Sequence, residues 1–225
     1  MGSVIGAEAL ALAGSGPVAD LCEIVEFRAD ALADQWPAVL EAMQACPVPA
    51  LLTVRAPEEG GMGQLSAVER EKLFTVLMPH AALVDLEIAH LTTLSAVVAA
   101  AHRHGLPVIA SFHDFSGTPE RRTLESLLAM ATAAGADAVK LATTLRNSGD
   151  LATLAALQEA APLPLATMGM GPLGRVSRLL LATMGSVLNY GYLDQPTIPG
   201  QWPASRLRAL IRELREGSVP PAPHT

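Results

Sequence analysis

The chain has 225 residues, of which half are hydrophobic and 16% are charged, and it carries a formal net charge of −7 at pH 7. This composition excludes a disordered chain and fits one large domain or two small ones. The acidic balance, without a basic cluster, argues against nucleic acid as a partner, and charged residues interrupt each apolar run before it reaches membrane-spanning length.

The N-terminus lacks a basic stretch followed by a continuous apolar segment, so we expect no signal peptide. The two cysteines, Cys22 and Cys46, do not have metal-ligand spacing. We expect both to be reduced thiols, which places the protein in the cytoplasm.

Short apolar segments alternate with Ala- and Leu-rich helical patterns along the chain. The predicted strands cover residues 2–5, a short first segment, and then 23–28, 50–55, 82–87, 107–113, 138–142, 163–167 and 185–190. The predicted helices cover residues 7–13, 36–46, 67–78, 91–104, 120–134, 150–160 and 173–184. This alternation predicts an α/β fold, a (β/α)8 TIM barrel with an abbreviated first strand; a doubly wound open sheet is the second possibility.

The domain prediction is a single barrel over residues 1–217, followed by a proline-rich C-terminal tail, residues 218–225, that we expect to be flexible. At the helix ends, Ser66 and Asp150 are predicted N-caps. Gly105 and Gly135 are predicted helix stops.

Polar residues in these strands fall on one side. Because side chains alternate between the two faces of a strand, each strand has two parities. The polar parity contains Glu26, Arg28, Thr53, Arg55, Asp85, Glu87, Ser111, His113 and Lys140, and continues into Met168 and Met170. The opposite parity contains Val25, Phe27, Leu52, Val54, Leu86, Phe112, Val139 and Leu141. In a β/α barrel, a polar set late in the strands lies inside the C-terminal mouth, where active sites are found.

Lys140 stands alone in the apolar run Ala138–Ala142. A buried ammonium is desolvated, so its pKa falls, and a neutral amine can form a Schiff base with a ketone. The alternative is a lysine that reaches solvent from the end of a strand.

The remaining charged residues of the polar parity indicate which kinds of substrate and reaction the site suits. Arginines suit a carboxylate or an oxygen-rich substrate, and a histidine suits general base work near neutral pH. A metal could be held by carboxylates with His113, but the neighbouring arginines and Lys140 disfavour a cation. We therefore expect no metal and no cofactor, and a small molecule as the ligand.

Ordered motifs run from residue 26 to residue 201. They read Glu26-Phe27-Arg28-Ala29-Asp30, Thr53-Val54-Arg55 followed by Glu59-Gly60-Gly61, Val84-Asp85-Leu86-Glu87, Ser111-Phe112-His113-Asp114-Phe115, Ala136-Asp137 leading to Lys140, Thr167-Met168-Gly169-Met170 with Ser177-Arg178, and Pro199-Gly200-Gln201. In this order and spacing the chain resembles the type I 3-dehydroquinate dehydratases of the shikimate pathway.

The resemblance implies a barrel lyase of aromatic amino acid biosynthesis that converts 3-dehydroquinate to 3-dehydroshikimate. By the same resemblance, Lys140 forms an imine with the C3 ketone, His113 moves the C2 proton to the departing C1 hydroxyl, and Glu59 pairs with His113. The implied substrate-binding residues are Glu26, Arg28 and Arg55 for the ring hydroxyls, Arg178, Gln201 and Thr197 for the carboxylate, and Met168, Met170 and Tyr190 for the apolar wall.

Three features depart from the family pattern. Thr197 stands where the family has serine, and Tyr190 stands where it has phenylalanine. Residues 1–20 match poorly, so the resemblance does not predict how the floor of the barrel is closed. Residues 194–202, rich in proline and glycine, are predicted to close over the substrate and exclude water; a plain connection is the alternative.

Two other functions stay open. One is a different Schiff-base barrel of the class I aldolase kind, for which a phosphate loop is not evident. The other is a non-catalytic barrel that binds a metabolite or a protein, against which the presence of Lys140 and His113 argues. Single residues also have structural interpretations: His113, Met168 and Met170 as core, Arg178 as solvated, and Asp85 and Glu87 as acceptors that lock arginines. The resemblance also makes a homodimer plausible.

Overall fold

The strands of the protein form one parallel sheet. In the computed structural model, which describes residues 1–216, the eight strands are ordered β7-β6-β5-β4-β3-β2-β1-β8. The strands are β1 Gly2–Val4, β2 Val25–Arg28, β3 Ala50–Thr53, β4 Leu83–Glu87, β5 Val108–Asp114, β6 Ala138–Thr144, β7 Leu165–Met170 and β8 Gly191–Tyr192. The tail predicted at residues 218–225 lies outside the described residues.

Helices join the strands, because parallel neighbours need a crossover connection. They are α1 Ala7–Ala13, α2 Val18–Leu21, α3 Trp36–Ala45, α4 Ala67–Leu77, α5 Ser95–Arg103, α6 Arg121–Ala133, α7 Ser148–Ala160, α8 Gly174–Thr183 and α9 Ala204–Glu216. Over residues 1–216, none of them is both long and apolar enough to cross a membrane.

The short first strand closes the barrel on one side. β1 pairs in parallel with β2 and also with β8. On the other side, the backbone N–H of Val187 donates to the carbonyl of Leu165 at 3.1 Å, and the N–H of Thr167 donates to Oγ of Ser186 at 3.1 Å. These bonds link β7 to the chain that leads into β8. The predicted (β/α)8 barrel is therefore confirmed.

The two strand parities build two separate cores. Outward-facing residues such as Phe27, Leu52 and Leu141 are buried between the sheet and the helices. Inward-facing Leu51 and Ile109 belong to a smaller cluster that fills the barrel interior. Because Leu51 precedes Thr53 and Ile109 precedes Ser111, the polar residues of the same parity lie nearer the C-terminal ends of the strands. The fold thus places the polar residues of the inward parity at the C-terminal mouth of the barrel.

The eighth predicted strand needs correction, and several bounds shift by one or two residues; β2 begins at Val25, β3 ends at Thr53 and β6 ends at Thr144. The strand predicted at residues 185–190 is wrong, since β8 consists only of Gly191–Tyr192, the residues that pair with β1. Leu188 and Tyr190 pack against the inward cluster, and this burial gives the segment its strand-like composition. β7 begins at Leu165, two residues later than predicted, because Pro164 has no N–H to donate to the ladder. At its other end the strand extends to Met170.

Asp150 is not the N-cap of α7, as the sequence suggested. Asn147 takes that position, and its Oδ1 accepts the N–H of Gly149 at 2.8 Å and that of Asp150 at 3.2 Å. The Asp150 carboxylate in turn accepts the N–H of Asn147, which completes a capping box. The Ser66 cap of α4 is confirmed, with Glu69 as its reciprocal partner.

The predicted helix stops are confirmed as well. Gly105 and Gly135 have φ angles of 71° and 83°, a left-handed conformation that glycine adopts without steric cost.

At the opposite end of the barrel from the polar layer lies a groove of about 380 Å³, lined in part by Met1, Ile24 and Leu188 together with α9. The barrel floor is therefore grooved.

Candidate active site

The inward polar residues surround one cavity at the C-terminal ends of the strands. Its volume is about 440 Å³, a size suited to a small cyclic molecule. The lining brings together all the predicted catalytic and substrate-binding residues: Lys140, His113, Glu59, Glu26, Arg28, Arg55, Arg178, Thr197, Gln201, Met168, Met170 and Tyr190. Four other members of the polar set, Thr53, Asp85, Glu87 and Ser111, are buried behind this lining. The structure adds Ser3, Ile5, Gly60, Met62, Phe115, Ala142, Pro196 and Ile198.

Lys140 points into this cavity from β6. Its side chain is 5% exposed, which rules out the alternative of a solvated lysine. The Nζ atom lies 3.4 Å from Oδ2 of Asp85, 3.7 Å from Oε1 of Glu26 and 4.2 Å from the ring centre of Tyr190. Burial lowers the pKa of Lys140, although Asp85 and Glu26 oppose the shift. The lowered pKa enlarges the fraction of neutral amine, the form that attacks a carbonyl.

Arg55 is buried beside Lys140 and is paired with two carboxylates. Its Nη2 lies 2.8 Å from Oδ1 of Asp85, and its Nη1 lies 3.4 Å from Oε1 of Glu87. Glu87 also accepts the N–H of Ala56 at 2.7 Å and binds Arg70 of α4. Burial alone would raise the pKa of both acids, but Arg55 and the other donors together lower it. Asp85 and Glu87 are thus acceptors that lock arginines in place.

Glu26 is held by side chains of the neighbouring strands β1 and β3, and Arg28 by Asp30, which follows β2. The Glu26 carboxylate accepts the hydroxyl of Ser3 at 2.7 Å and that of Thr53 at 3.1 Å. The Arg28 guanidinium binds Asp30 through two parallel bonds, at 2.9 and 2.8 Å. Both side chains therefore present fixed polar atoms to the cavity. Among residues 1–216, no group of three or more His, Cys, Asp or Glu is arranged to hold a metal ion.

His113 on β5 is bound to Glu59. The distance from Nδ1 to Oε2 is 3.0 Å, and the backbone N–H of His113 donates to the same oxygen at 3.0 Å. Burial lowers the pKa of His113 well below its usual value, and Arg55 and Lys140 add to the shift. Burial also raises the pKa of Glu59 to about 7. The imidazole is therefore neutral near pH 7, and with Glu59 as acceptor at Nδ1 its Nε2 is free to take a proton.

Arg178 on α8 is a buried cation of a different kind from Arg55. It is 2% exposed, and its Nη1 donates to the carbonyl of Tyr190 at 2.8 Å and contacts Sδ of Met168 at 3.6 Å. Its Nε finds no partner among the described residues, and burial lowers its pKa to about 10. An uncompensated buried charge is costly, so this position fits an anion supplied from outside the chain.

The lid loop, residues 194–202, follows β8 and contributes Thr197 and Gln201 to the cavity. Oε1 of Gln201 accepts the backbone N–H of Thr197 at 2.7 Å and its hydroxyl at 3.2 Å. Gln201 is nearly buried, whereas Thr197 is exposed. The loop thus carries its two polar side chains as one linked unit at the mouth of the barrel.

The apolar wall consists of Met168, Met170 and Tyr190, all buried. The Tyr190 ring faces the ammonium of Lys140 at cation–π distance. Its hydroxyl is buried and, within the described part of the chain, has no hydrogen-bond partner. Burial raises the pKa of Tyr190 well above its usual value, so the phenol stays protonated.

Sequence reasoning missed three contributors. Arg70, which lies on α4 among charged neighbours and was not singled out from the sequence, is buried against Glu87. Ser3 lies in the poorly matching N-terminal segment. Phe115 was within a quoted motif but unassigned; its ring stacks near that of His113, with the ring centres 6.4 Å apart.

Together these features define a (β/α)8-barrel protein whose C-terminal cavity combines a buried amine, an imidazole–carboxylate pair and a buried guanidinium that has no carboxylate partner among residues 1–216. Residues 11–218 match the type I 3-dehydroquinase family. The chain is 35% identical over 217 residues to the 3-dehydroquinate dehydratase of Halobacterium salinarum, covering 90% of this chain and 93% of the relative.

Solved structures agree. The crystal structure of 3-dehydroquinate dehydratase from Geobacillus kaustophilus matches with a TM-score of 0.87 at 28% identity, covering 97% of this chain and 91% of that one. The Clostridium difficile type I enzyme, described with covalently modified comenic acid, matches with a TM-score of 0.82 at 26% identity, covering 96% and 91%. The chain belongs to the type I 3-dehydroquinase family and is an enzyme of the lyase class. Family membership decides against the aldolase and non-catalytic alternatives.

Proposed function

We propose that the protein dehydrates 3-dehydroquinate to 3-dehydroshikimate through an imine on Lys140. The observation that carries the proposal is the presence, in one cavity, of a buried amine with a lowered pKa and a buried guanidinium without a carboxylate partner among the described residues. The amine suits a ketone and the guanidinium suits a carboxylate, and this substrate has both groups. The relatives named as 3-dehydroquinate dehydratases support the assignment.

The reaction begins at Lys140. Its neutral Nζ attacks the C3 carbonyl carbon, and loss of water from the adduct leaves a protonated imine. The iminium is an electron sink for the adjacent C2–H bond, so it acidifies that proton. Asp85 and Glu26, which lie 3.4 and 3.7 Å from Nζ, stabilise the positive charge that the nitrogen carries.

His113 acts next as general base. Its Nε2 takes the C2 proton while Glu59 accepts the Nδ1 hydrogen and holds the tautomer. The electron pair of the C2–H bond moves into the enamine. His113 then gives the proton to the C1 hydroxyl, which leaves as water as the enamine pair forms the C1–C2 double bond. Water hydrolyses the regenerated iminium and releases the product and free Lys140.

The remaining lining residues bind and orient the ring. Arg178 binds the carboxylate, with Gln201 and Thr197 of the lid loop completing that end of the site. The residues that bind ring hydroxyls are Glu26, Arg28 and Arg55, and those that form the wall beneath the ring are Met168, Met170 and Tyr190. A lid closed over the cavity also keeps bulk water from the iminium until elimination is complete.

Turnover is tested by following the ultraviolet absorbance of the conjugated enone product after 3-dehydroquinate is added. The chain has two lysines, Lys140 and the exposed Lys72 on α4. Lys140→Met is expected to abolish the absorbance change, and Lys72→Met is the matched control that retains it. No absorbance change with the wild-type protein would refute the proposed substrate.

Further expectations belong with this proposal: one catalytic domain over residues 1–217, a cytoplasmic location and a homodimer. The free thiols of Cys22 and Cys46 agree with a reducing compartment. Light scattering of the purified protein measures the oligomeric state, and a mass of one 23.4 kDa chain would contradict the dimer.

A further inference from the structure

We infer that Arg175 and Trp202 form a latch that holds the lid loop over the cavity and thereby positions Thr197 and Gln201. The role of the lid in binding substrate rests on the proposed function. The latch itself rests on contacts that are independent of any substrate. Neither Arg175 nor Trp202 lines the cavity, so both are positioning residues.

Three contacts join the end of the lid to the first turn of α8. The indole N–H of Trp202 donates to the carbonyl of Arg175 at 3.1 Å. The guanidinium carbon of Arg175 lies 4.9 Å from the centre of the indole ring, a cation–π distance. The Nε of Arg175 donates to the carbonyl of Gln201 at 3.4 Å. Each of the two side chains therefore binds the segment that carries the other.

The backbone supports the same attachment. The N–H of Gly171 donates to the carbonyl of Pro199 at 3.1 Å. A Cβ added to Gly174 would lie 2.9 Å from Cα of Gly200, so the lid packs directly on the start of α8. This close approach explains why glycine stands at both positions.

The latch positions the Thr197 side chain in the cavity through two linked contacts. Arg175 holds the backbone of Gln201, and the Gln201 side chain in turn accepts two hydrogen bonds from Thr197. Arg178, the unpaired cation of the cavity, lies three residues after Arg175 on the same helix. Helix α8 therefore fixes the position of the Thr197 and Gln201 side chains relative to the Arg178 guanidinium.

The latch is tested first without substrate, by hydrogen exchange of the lid amides in the full-length protein. Trp202→Ala and Arg175→Ala are expected to speed exchange of the Thr197 amide. Trp202→Phe keeps an aromatic face for Arg175 and is expected to show a smaller change. Arg206→Ala, which removes an exposed arginine from the first turn of α9, is the matched control and should exchange as wild type.

Steady-state kinetics with 3-dehydroquinate then test the consequence. Both alanine variants are expected to raise KM about tenfold, equivalent to about 1.4 kcal/mol, with a smaller effect on kcat. Trp202→Phe should recover most of the loss. A purely structural role of Trp202 would instead lower the amount of folded enzyme and leave KM unchanged.

Two results would overturn the inference: a lid that exchanges at the wild-type rate in both alanine variants, or a lid that exchanges faster while KM stays the same. Failure of the wild-type enzyme to turn over 3-dehydroquinate would refute the proposed function instead. It would leave the exchange experiment, which uses no substrate, to decide on the latch.

Discussion

The ammonium of Lys140 on β6 lies 3.4 Å from Oδ2 of Asp85 on β4, and Oδ1 of the same carboxylate binds Arg55 at 2.8 Å. One buried carboxylate therefore lies between two buried cations and binds both. It lowers the cost of burying the lysine and fixes the arginine beside it. Burial has the largest effect on the pKa of the amine and lowers it, while this carboxylate opposes the shift.

Asp85→Asn is expected to destabilise the fold by about 3–5 kcal/mol, because two buried cations lose their shared anion. The pKa of Lys140 should fall further. Urea unfolding measures the loss of stability. Asp137→Asn, at a half-exposed carboxylate paired with His102, is the control, with an expected change below about 1 kcal/mol. Equal effects of the two substitutions would contradict the buried ion-pair account.

Arg55 and Arg178, both buried at the cavity, are expected to respond oppositely to loss of charge. Arg178→Met removes a cation that has no carboxylate partner among residues 1–216, so it should raise stability by about 1–2 kcal/mol. Arg55→Met removes the cation that Asp85 and Glu87 share, which leaves Asp85 with Lys140 alone and Glu87 with Arg70, and it should lower stability by about 3–5 kcal/mol. Thermal unfolding of both variants measures the difference.

Arg178→Met should nevertheless raise KM about 100-fold, since the substrate carboxylate loses its charged donor. An Arg178 variant that is less stable but binds substrate normally would show that the guanidinium serves the fold and not the ligand.

The pH profile of kcat/KM reports on Glu59. With its pKa raised to about 7, Glu59 is ionised above that pH and protonated below it. The ionised form is the stronger acceptor for the Nδ1 hydrogen of His113 and makes the imidazole more basic, so kcat/KM should fall as the pH drops through about 7. Glu59→Gln should lower kcat/KM about 10- to 100-fold above pH 7 and abolish that step. The exposed neighbour Glu58→Gln should keep it.

Tyr190→Phe tests the buried hydroxyl of the apolar wall. Because this hydroxyl has no partner within the described chain, its removal should raise stability by about 1 kcal/mol. The aromatic face toward Lys140 is retained, so activity should persist. A drop in unfolding temperature would indicate that the hydroxyl is satisfied by ordered water in the folded enzyme.

Much of the architecture was predictable because strand parity is a local property. The alternation from Glu26 to Lys140 placed the polar groups inside the barrel without knowledge of the fold. What local pattern could not supply was which apolar segments join a ladder. The Leu188 and Tyr190 region is apolar because it packs on the inward cluster, while pairing with β1 begins only at Gly191.

The unpredicted parts of the site are those that depend on contacts between distant segments. Arg70 reads as a surface charge on a helix until the fold brings it to Glu87. The Arg175–Trp202 contact joins residues separated by β8, and neither residue carries a motif. The order and spacing of the motifs predicted the main site residues that line the cavity.

The most direct test of the imine is borohydride reduction in the presence of 3-dehydroquinate, followed by intact mass and peptide mapping. The chain offers two lysines, Lys140 and Lys72, besides the N-terminal amine of Met1, and peptide mapping distinguishes the three. We predict one reduced substrate adduct per wild-type chain, mapped to Lys140 and absent from Lys140→Ala. An unmodified wild-type protein, or an adduct on Lys72, would contradict the Schiff-base mechanism.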